Sequence, residues 1–258
     1  MRRYVIKLGG SVITDKDEPL SINITTLLGI GEEIAAAMRE TNLSLAIVHG
    51  GGSYGHPSVR ECLDRKGVID EPCYVRTTYL MSELSLIVTQ ALIAAGVPAV
   101  TLTTRSICTI RSGRVACELG TAAEMVARGL VPVLFGDGVL SDRGYEVMSG
   151  DDIVWLLAKV IGGAEVVFVT DVDGIFDKDP RKSPDARLLK EVTASEALGF
   201  AGGSGKTDVT GGMRSKLAKG LKYARGWGKA YVVNGGRRWN LFNLLTGKPF
   251  IGTVVWYR

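Results

Sequence analysis

Lysines set beside glycines are the residues of this chain best placed to do chemistry. Lys7 interrupts the apolar run Tyr4–Leu8 and is followed at once by Gly9-Gly10-Ser11. A charge in a strand covered on both faces is costly unless an anion or an acid meets it; at an exposed edge it would simply face water. Lys216 follows Gly211-Gly212 in the first turns of a helical pattern, where free backbone N–H groups and the helix dipole favour a phosphate. It also reads as one of a solvated row with Lys219 and Lys222. Phosphoryl transfer calls for such a set, because it needs little covalent help but does need cations and N–H groups fixed around the moving group.

Acids and further glycines accompany the lysines. Gly50-Gly51-Gly52-Ser53-Tyr54-Gly55-His56 follows the apolar run Leu43–Val48. Asp151-Asp152 stand between Ser149-Gly150 and an apolar helical pattern, either as helix caps or as acids that orient the lysines. Thr170-Asp171-Val172-Asp173-Gly174 closes another apolar run; its acids suit ribose hydroxyls or the water around a magnesium ion, and equally a plain Asp-Gly turn. Lys16, between Asp15 and Asp17, reads on its own as surface. Two patterns mislead. Gly50, Gly52 and Gly55 satisfy GxGxxG, with Asp70 near the place of a ribose acid, but His56-Pro57 sits awkwardly where a dinucleotide fold opens its helix. Gly205-Lys206-Thr207 imitates the end of a P-loop, yet Phe200 stands where the first glycine belongs.

The elements that must position these residues follow from the apolar runs. Tyr4–Leu8, Leu43–Val48, Ala99–Leu102, Val131–Phe135, Val166–Thr170 and Tyr231–Asn234 alternate with helical patterns, the signature of an α/β fold. Continuous apolar runs suit strands covered on both faces, so a three-layer αβα sandwich around a largely parallel sheet is expected. Ile107–Cys117 differs, with Arg111-Ser112-Gly113-Arg114 placed like a hairpin turn. Glycine clusters fall where strands end, on the edge where open α/β sheets bind ligands. No linker composition appears in the 258 residues, so one domain is expected, with an N-terminal lobe over about 1–160 and a C-terminal lobe over about 161–258.

Composition narrows the partners. With 31 Lys plus Arg against 27 Asp plus Glu, the net charge of +4 is too mild for a nucleic-acid coat. The uncharged stretch from Leu84 to Thr104 imitates a membrane span, but Gly96-Val97-Pro98 breaks it into a helix and a strand, so no membrane segment is expected. Cys62, Cys73, Cys108 and Cys117 make no CxxC pair, and His49 and His56 are the two histidines. No protein-built metal site is expected, and the cysteines are expected as free, reduced thiols in a cytoplasmic setting.

Taken in order, Lys7-Leu8-Gly9-Gly10-Ser11, His49-Gly50-Gly51-Gly52-Ser53-Tyr54-Gly55-His56, Ser149-Gly150-Asp151-Asp152, Thr170-Asp171-Val172-Asp173-Gly174 and Asp208-Val209-Thr210-Gly211-Gly212-Met213 resemble the amino acid kinase superfamily. Within it the chain is most similar to the archaeal-type isopentenyl phosphate kinase family, although Tyr54 stands where that family carries phenylalanine. The resemblance implies ATP-dependent phosphorylation of isopentenyl phosphate to the diphosphate, in isoprenoid biosynthesis by an alternative mevalonate pathway. It implies that Lys7 and Lys216 stabilise the transferring phosphoryl with Gly9 and Gly10, that Asp151 organises the lysines, and that Lys16 reaches the nucleotide phosphates. Gly51, Gly52, Gly55, His56 and Gly150 would hold the substrate phosphate, while Asp171, Gly174, Lys178 and Gly212 fall in nucleotide-binding segments. Leu80, Glu83, Leu84 and Ile87 would wall the tail pocket; such a stripe also reads as plain core. Magnesium with ATP and a homodimer are implied as well. Rival expectations are another phosphate or phosphonate kinase of the superfamily (a fosfomycin or nucleoside monophosphate kinase), an NAD-dependent oxidoreductase built on Gly50, Gly52 and Gly55, and a non-catalytic nucleotide sensor.

Overall fold

The apolar runs lie side by side as parallel strands. The computed structural model describes residues 2–15, 18–178, 180, 183–200 and 211–258. In chain order the elements are β1 (Arg2–Leu8), α1 (Gly10–Ile13), α2 (Ile24–Glu40), β2 (Leu43–His49), α3 (Gly52–Lys66), α4 (Glu71–Ala94), β3 (Ala99–Thr101) and α5 (Thr104–Ile107). There follow β4 (Cys108–Arg111), β5 (Arg114–Cys117), α6 (Gly120–Ala127), β6 (Val131–Phe135), β7 (Asp137–Ser141), β8 (Gly144–Met148) and α7 (Gly150–Val160). The last are β9 (Glu165–Thr170), β10 (Glu191–Thr193), α8 (Ala194–Phe200), α9 (Gly211–Ala224), β11 (Gly228–Asn234), α10 (Asn240–Thr246) and β12 (Thr253–Tyr257).

Among the described residues, eight strands form one sheet in the order β10-β12-β11-β9-β1-β2-β6-β3, in which β11 against β12 is the antiparallel pair. Period-2 alternation divides each central strand between two cores. Val5 of β1 and Val166 and Phe168 of β9 join the core under α6, α7, α8 and α9. Tyr4, Ile6 and Leu8, with Val167 and Val169, join the core under α2, α4 and α10. The three-layer expectation is met, and so is each of the six strands. One consequence is chemical: Lys7 shares the parity of Val5, so its side chain is carried to the α7–α9 face.

A four-stranded sheet, β5-β4-β7-β8, stands apart. Its β4–β5 hairpin turns through Ser112 (φ 49°) and Gly113 (φ 70°), the double positive φ of a type I′ turn. The expectation of free thiols is corrected here. Cys108 and Cys117 face each other across that hairpin and are disulfide-bonded, and Cys62 of α3 is bonded to Cys73 of α4. Both pairings are made by chain reversals, at Ser112-Gly113 and after the helix cap Gly67, which cysteine spacing does not display. The helix expected ahead of Gly96 begins as early as Glu71, because Asp70 caps it by accepting from Cys73 N. It packs on α2, α3 and β3.

The tightest backbone approach lies where the first two glycine loops meet at the carboxyl edge. A Cβ on Gly10 would fall 2.4 Å from Gly52 N, and Gly50 N donates to Leu8 O at 2.9 Å. Backbone cannot yield as a side-chain tip can. Gly10→Ala is therefore expected to cost about 1–3 kcal/mol of stability and to lower turnover together with it, as thermal melting and steady-state rates on the same sample would show.

Candidate active site

Strand parity brings Lys7 under the first turn of α7. Its Nζ donates to Asp151 Oδ1 at 2.9 Å, and Lys216 Nζ from α9 lies 3.8 Å from Asp151 Oδ2. Lys7 and Asp151 are each about 6% exposed. Burial pushes the Asp151 carboxyl up, but Lys7 and Lys216 outweigh it and hold the group below its ordinary range, so it stays ionised. Gly150 makes room for the lysine: a Cβ there would lie 2.9 Å from Lys7 Cε. Ser149 is the cap of α7, accepting from Asp151 N, which frees both aspartates. Asp151 is thus the acid between the lysines. Asp152 points elsewhere, toward Lys219 and Tyr223 of α9.

These groups form the floor of a cavity of about 1070 Å³ at the carboxyl edge of the large sheet. The helices α3, α7 and α9 begin beside it at Gly52, Gly150 and Gly211, presenting N–H groups and the positive ends of their dipoles to one space. Of the residues expected to hold the substrate phosphate, Gly51, Gly52, Gly55, His56 and Gly150 all line it, as do Lys7, Gly9 and Gly10. The helix α3 starts at Gly52 rather than after Gly55, so Pro57 lies inside its first turns. The same helix brings Arg60, one turn beyond His56, to the cavity wall. Desolvation by the walls, together with Lys7, Arg60 and Lys216, holds the His56 imidazole below its ordinary pKa, against the opposite pull of Asp151.

The other end of the cavity is built by the segment after β9 and the start of α9. Asp171, Gly174, Lys178, Gly212 and Lys216 line it. Gly174 has φ +156°, and a Cβ there would sit 2.5 Å from Thr253 Oγ1, the hydroxyl that binds the Ile175 N–H and Leu189 O. Lys178 is paired with Asp185 on the surface side. Asp173 turns away, to Arg237 and Asn234. Lys16, and Asp208, Val209 and Thr210 of the last motif, lie outside the described residues. Among the described residues no three His, Cys, Asp or Glu side chains converge on one point.

Two expectations differ from what the structure places here. Leu80, Glu83, Leu84 and Ile87 do not line this cavity: α4 meets it through Thr77 and Met81, and Leu84 is fully buried in the core under α2. The reason is the fit of α4 to the glycine loop, where Cβ atoms on Gly51 and Gly55 would touch Met81 Sδ at 3.3 and 2.8 Å. Asp137 also lines this end; it is paired with Arg105 at 2.9 Å, and burial pushes its carboxyl up to about 6 despite that partner. Asp70, the candidate ribose acid, caps α4 and pairs with Lys66 on the surface, away from the cavity lining. The dinucleotide reading loses its acid. His49 sits fully buried below the loop, stacked on Phe135, with Nδ1 against Gly50 O at 3.0 Å.

With two lysines bridged by one acid at the junction of glycine loops, the site is built to stabilise a group of concentrated negative charge. The amino acid kinase family pattern matches residues 2–234, and the chain belongs to that family. Within it, full-length relatives place the chain among the isopentenyl phosphate kinases. The isopentenyl phosphate kinase of Methanothermobacter thermautotrophicus is 34% identical over 97% of this chain and 98% of its own length. That of Methanocaldococcus jannaschii is 32% identical over 95% of each. A crystal structure of an isopentenyl phosphate kinase superposes with a TM-score of 0.82 at 32% identity, covering 99% of this chain and all of the other.

Two expectations follow from the geometry. Lys7→Met should lower kcat by about 10²–10³-fold, the loss typical for one preorganised donor to developing charge, with nucleotide still bound in a fluorescence titration. Burial lowers the His49 pKa from 6.5 to about 4. The unfolded chain therefore takes up a proton near pH 6.5 that the folded chain refuses until about pH 4. Stability should be full above pH 6.5 and fall between those values by on the order of 3 kcal/mol. His49→Gln should flatten that part of the pH profile in urea melts.

Proposed function

We propose that this chain transfers the γ-phosphoryl of ATP to isopentenyl phosphate, giving isopentenyl diphosphate and ADP. The observation that carries the reading is the Lys7–Asp151–Lys216 cluster at the point where the two ends of one cavity meet. The nucleotide would lie toward Asp171, Gly174 and Gly212, and the acceptor phosphate toward Gly51, Gly55 and His56. A phosphate monoester has its second pKa near 6 and is already an anionic nucleophile at neutral pH, so no residue need act as base. The two lysines neutralise charge on the equatorial oxygens of the group in transit, while Asp151 fixes their positions. Glycine N–H groups and His56 orient the acceptor. The tail would extend past Met81 and Thr77 toward Val147 and Met148, apart from the lysines.

Magnesium bridging the β- and γ-phosphates would supply further charge neutralisation. The carboxylate at the nucleotide end is Asp171, beside the glycine-rich turn. Such a donor set suits an ion that arrives on the nucleotide and keeps most of its water, as magnesium does, rather than one held in an all-protein cage.

A homodimer fits the surface of α4. Val75, Tyr79, Leu86 and Ile93 are 58%, 66%, 64% and 56% exposed. Their spacing of four, seven and seven residues makes one apolar seam, which the same seam of a second copy would cover about a two-fold axis. Leu86→Asp should shift the sedimenting mass toward the monomer. Dependence on ATP points to the cytoplasm.

The test of the reaction is ADP release with magnesium and ATP across isopentenyl phosphate, dimethylallyl phosphate, fosfomycin, UMP, glutamate and N-acetylglutamate. Selective turnover of the isoprenoid phosphates is expected; turnover of another acceptor alone would overturn the substrate assignment. His56→Ala should raise KM for the acceptor by about 10-fold or more, as for loss of a charge-assisted hydrogen bond. Because the free imidazole sits below its ordinary pKa and the bound dianion pulls it up, acceptor binding near pH 7 should take up a proton. Calorimetry in buffers of different ionisation heat would read that uptake, and its absence would remove His56 from the phosphate.

A further inference from the structure

The second acid of the Asp151-Asp152 pair has no part in the mechanism above, yet it is 4% exposed and fully engaged. Lys219 Nζ donates to Asp152 Oδ1 and Oδ2 at 2.7 and 2.6 Å, and Tyr223 OH donates to Oδ1 at 2.8 Å. Both donors are on α9, the helix that carries Lys216. Lys216, Lys219 and Tyr223 are spaced three and four residues apart, so they share one face of that helix. Asp151 and Asp152, as neighbours in the first turn of α7, point about 100° apart around its axis. One turn of α7 therefore meets one face of α9 twice, once at the reacting lysine and once at this anchor.

Apolar packing seats α9 on the core through Met213, Leu217 and Ala224, and directional polar contacts add a sharper constraint on its axial position. Gly220, on the same face, lies flat on Tyr257: a Cβ there would fall 2.0 Å from the ring. That contact fixes how close α9 comes, while a flat ring surface fixes its axial position weakly. The Lys216 Nζ to Asp151 distance of 3.8 Å is an ion pair without a hydrogen bond, so it is a poor anchor for its own helix. The polar contacts at Asp152 are short and directional, with the carboxylate buried and Lys219 and Tyr223 half-buried. Buried ion pairs contribute little net stability against apolar replacements, and their best-attested use is to fix one arrangement among several.

We propose that Asp152 is a positioning residue for phosphoryl transfer, holding α9 through Lys219 and Tyr223 so that Lys216 stands over Asp151. This rests on the phosphotransfer reading. The experiment is a double-mutant cycle of Asp152→Asn with Lys216→Met, read on isopentenyl diphosphate formation and on the slow ATP hydrolysis without acceptor. In the wild-type background Asp152→Asn should lower kcat by about 10-fold or more, with KM for both substrates changed less than about twofold. In the Lys216→Met background it should change kcat by less than about twofold, because the group it positions is gone. Tyr223→Phe, which keeps the ion pair, should give a smaller kcat loss with the same non-additivity, and serves if Asp152→Asn melts below the assay temperature. An equal fold-loss in both backgrounds, or a loss that tracks the unfolded fraction, would overturn the proposal and leave Asp152 a purely structural contact. Absence of diphosphate formation by the wild type would instead overturn the substrate assignment, with the hydrolysis arm still deciding the role of Asp152.

Discussion

One carboxylate shared by two lysines at the floor of a cavity sets the terms for the rest of this structure. Lys7 and Asp151 are taken almost wholly out of water, and charges so placed are tolerated only when paired and held in good geometry. A lysine and an aspartate cancel; the second lysine leaves the floor one positive charge in excess, in a medium where charge is poorly screened. An arriving phosphoryl group meets that surplus. Three elements distant in sequence must agree for this to hold: the end of β1, the first turn of α7 and the first turns of α9.

The glycines are the steric counterpart of that electrostatic demand. Gly150 leaves space for the Lys7 side chain, and Gly10 and Gly52 let two loops approach backbone to backbone. Substituting side chains at these positions would push the helix N-termini away from the cavity. Their N–H groups would then no longer converge on an anion. A polar floor and a side-chain-free wall are in this sense one device, which explains why glycine clusters fall at the ends of strands and nowhere at random in the central sheet.

Much of this was legible in the sequence, for reasons that differ from residue to residue. Lys7 stood out because a charge in an apolar run demands a partner, and the run itself, with those around it, marked the strands. The glycine clusters marked the ligand edge because open α/β sheets use that edge. What stayed open or went astray depended on rotation and long-range contact. Whether Asp151 or Asp152 faces Lys7 and Lys216 depends on how α7 is turned about its axis, which the edge-to-face contact of Trp155 with Tyr257 helps to fix from far along the chain. That α4 meets the cavity through Thr77 and Met81 rather than through Leu80 and Leu84 depends on its register, which Met81 lying on Gly51 and Gly55 sets. Cystine formation depends on two chain reversals that bring cysteines together across 11 and 9 positions.

Asp151 orders two lysines for a phosphoryl in transit between ATP and isopentenyl phosphate, and everything else in the site serves that arrangement. The most direct measurement is the single-turnover rate of isopentenyl diphosphate formation by the wild type and by Asp151→Asn, with ATP binding followed on the same preparations. Product is expected from the wild type, with a rate lower by about 10²-fold or more in the variant and ATP affinity within a few-fold. A variant that transfers at the wild-type rate would contradict that role of Asp151.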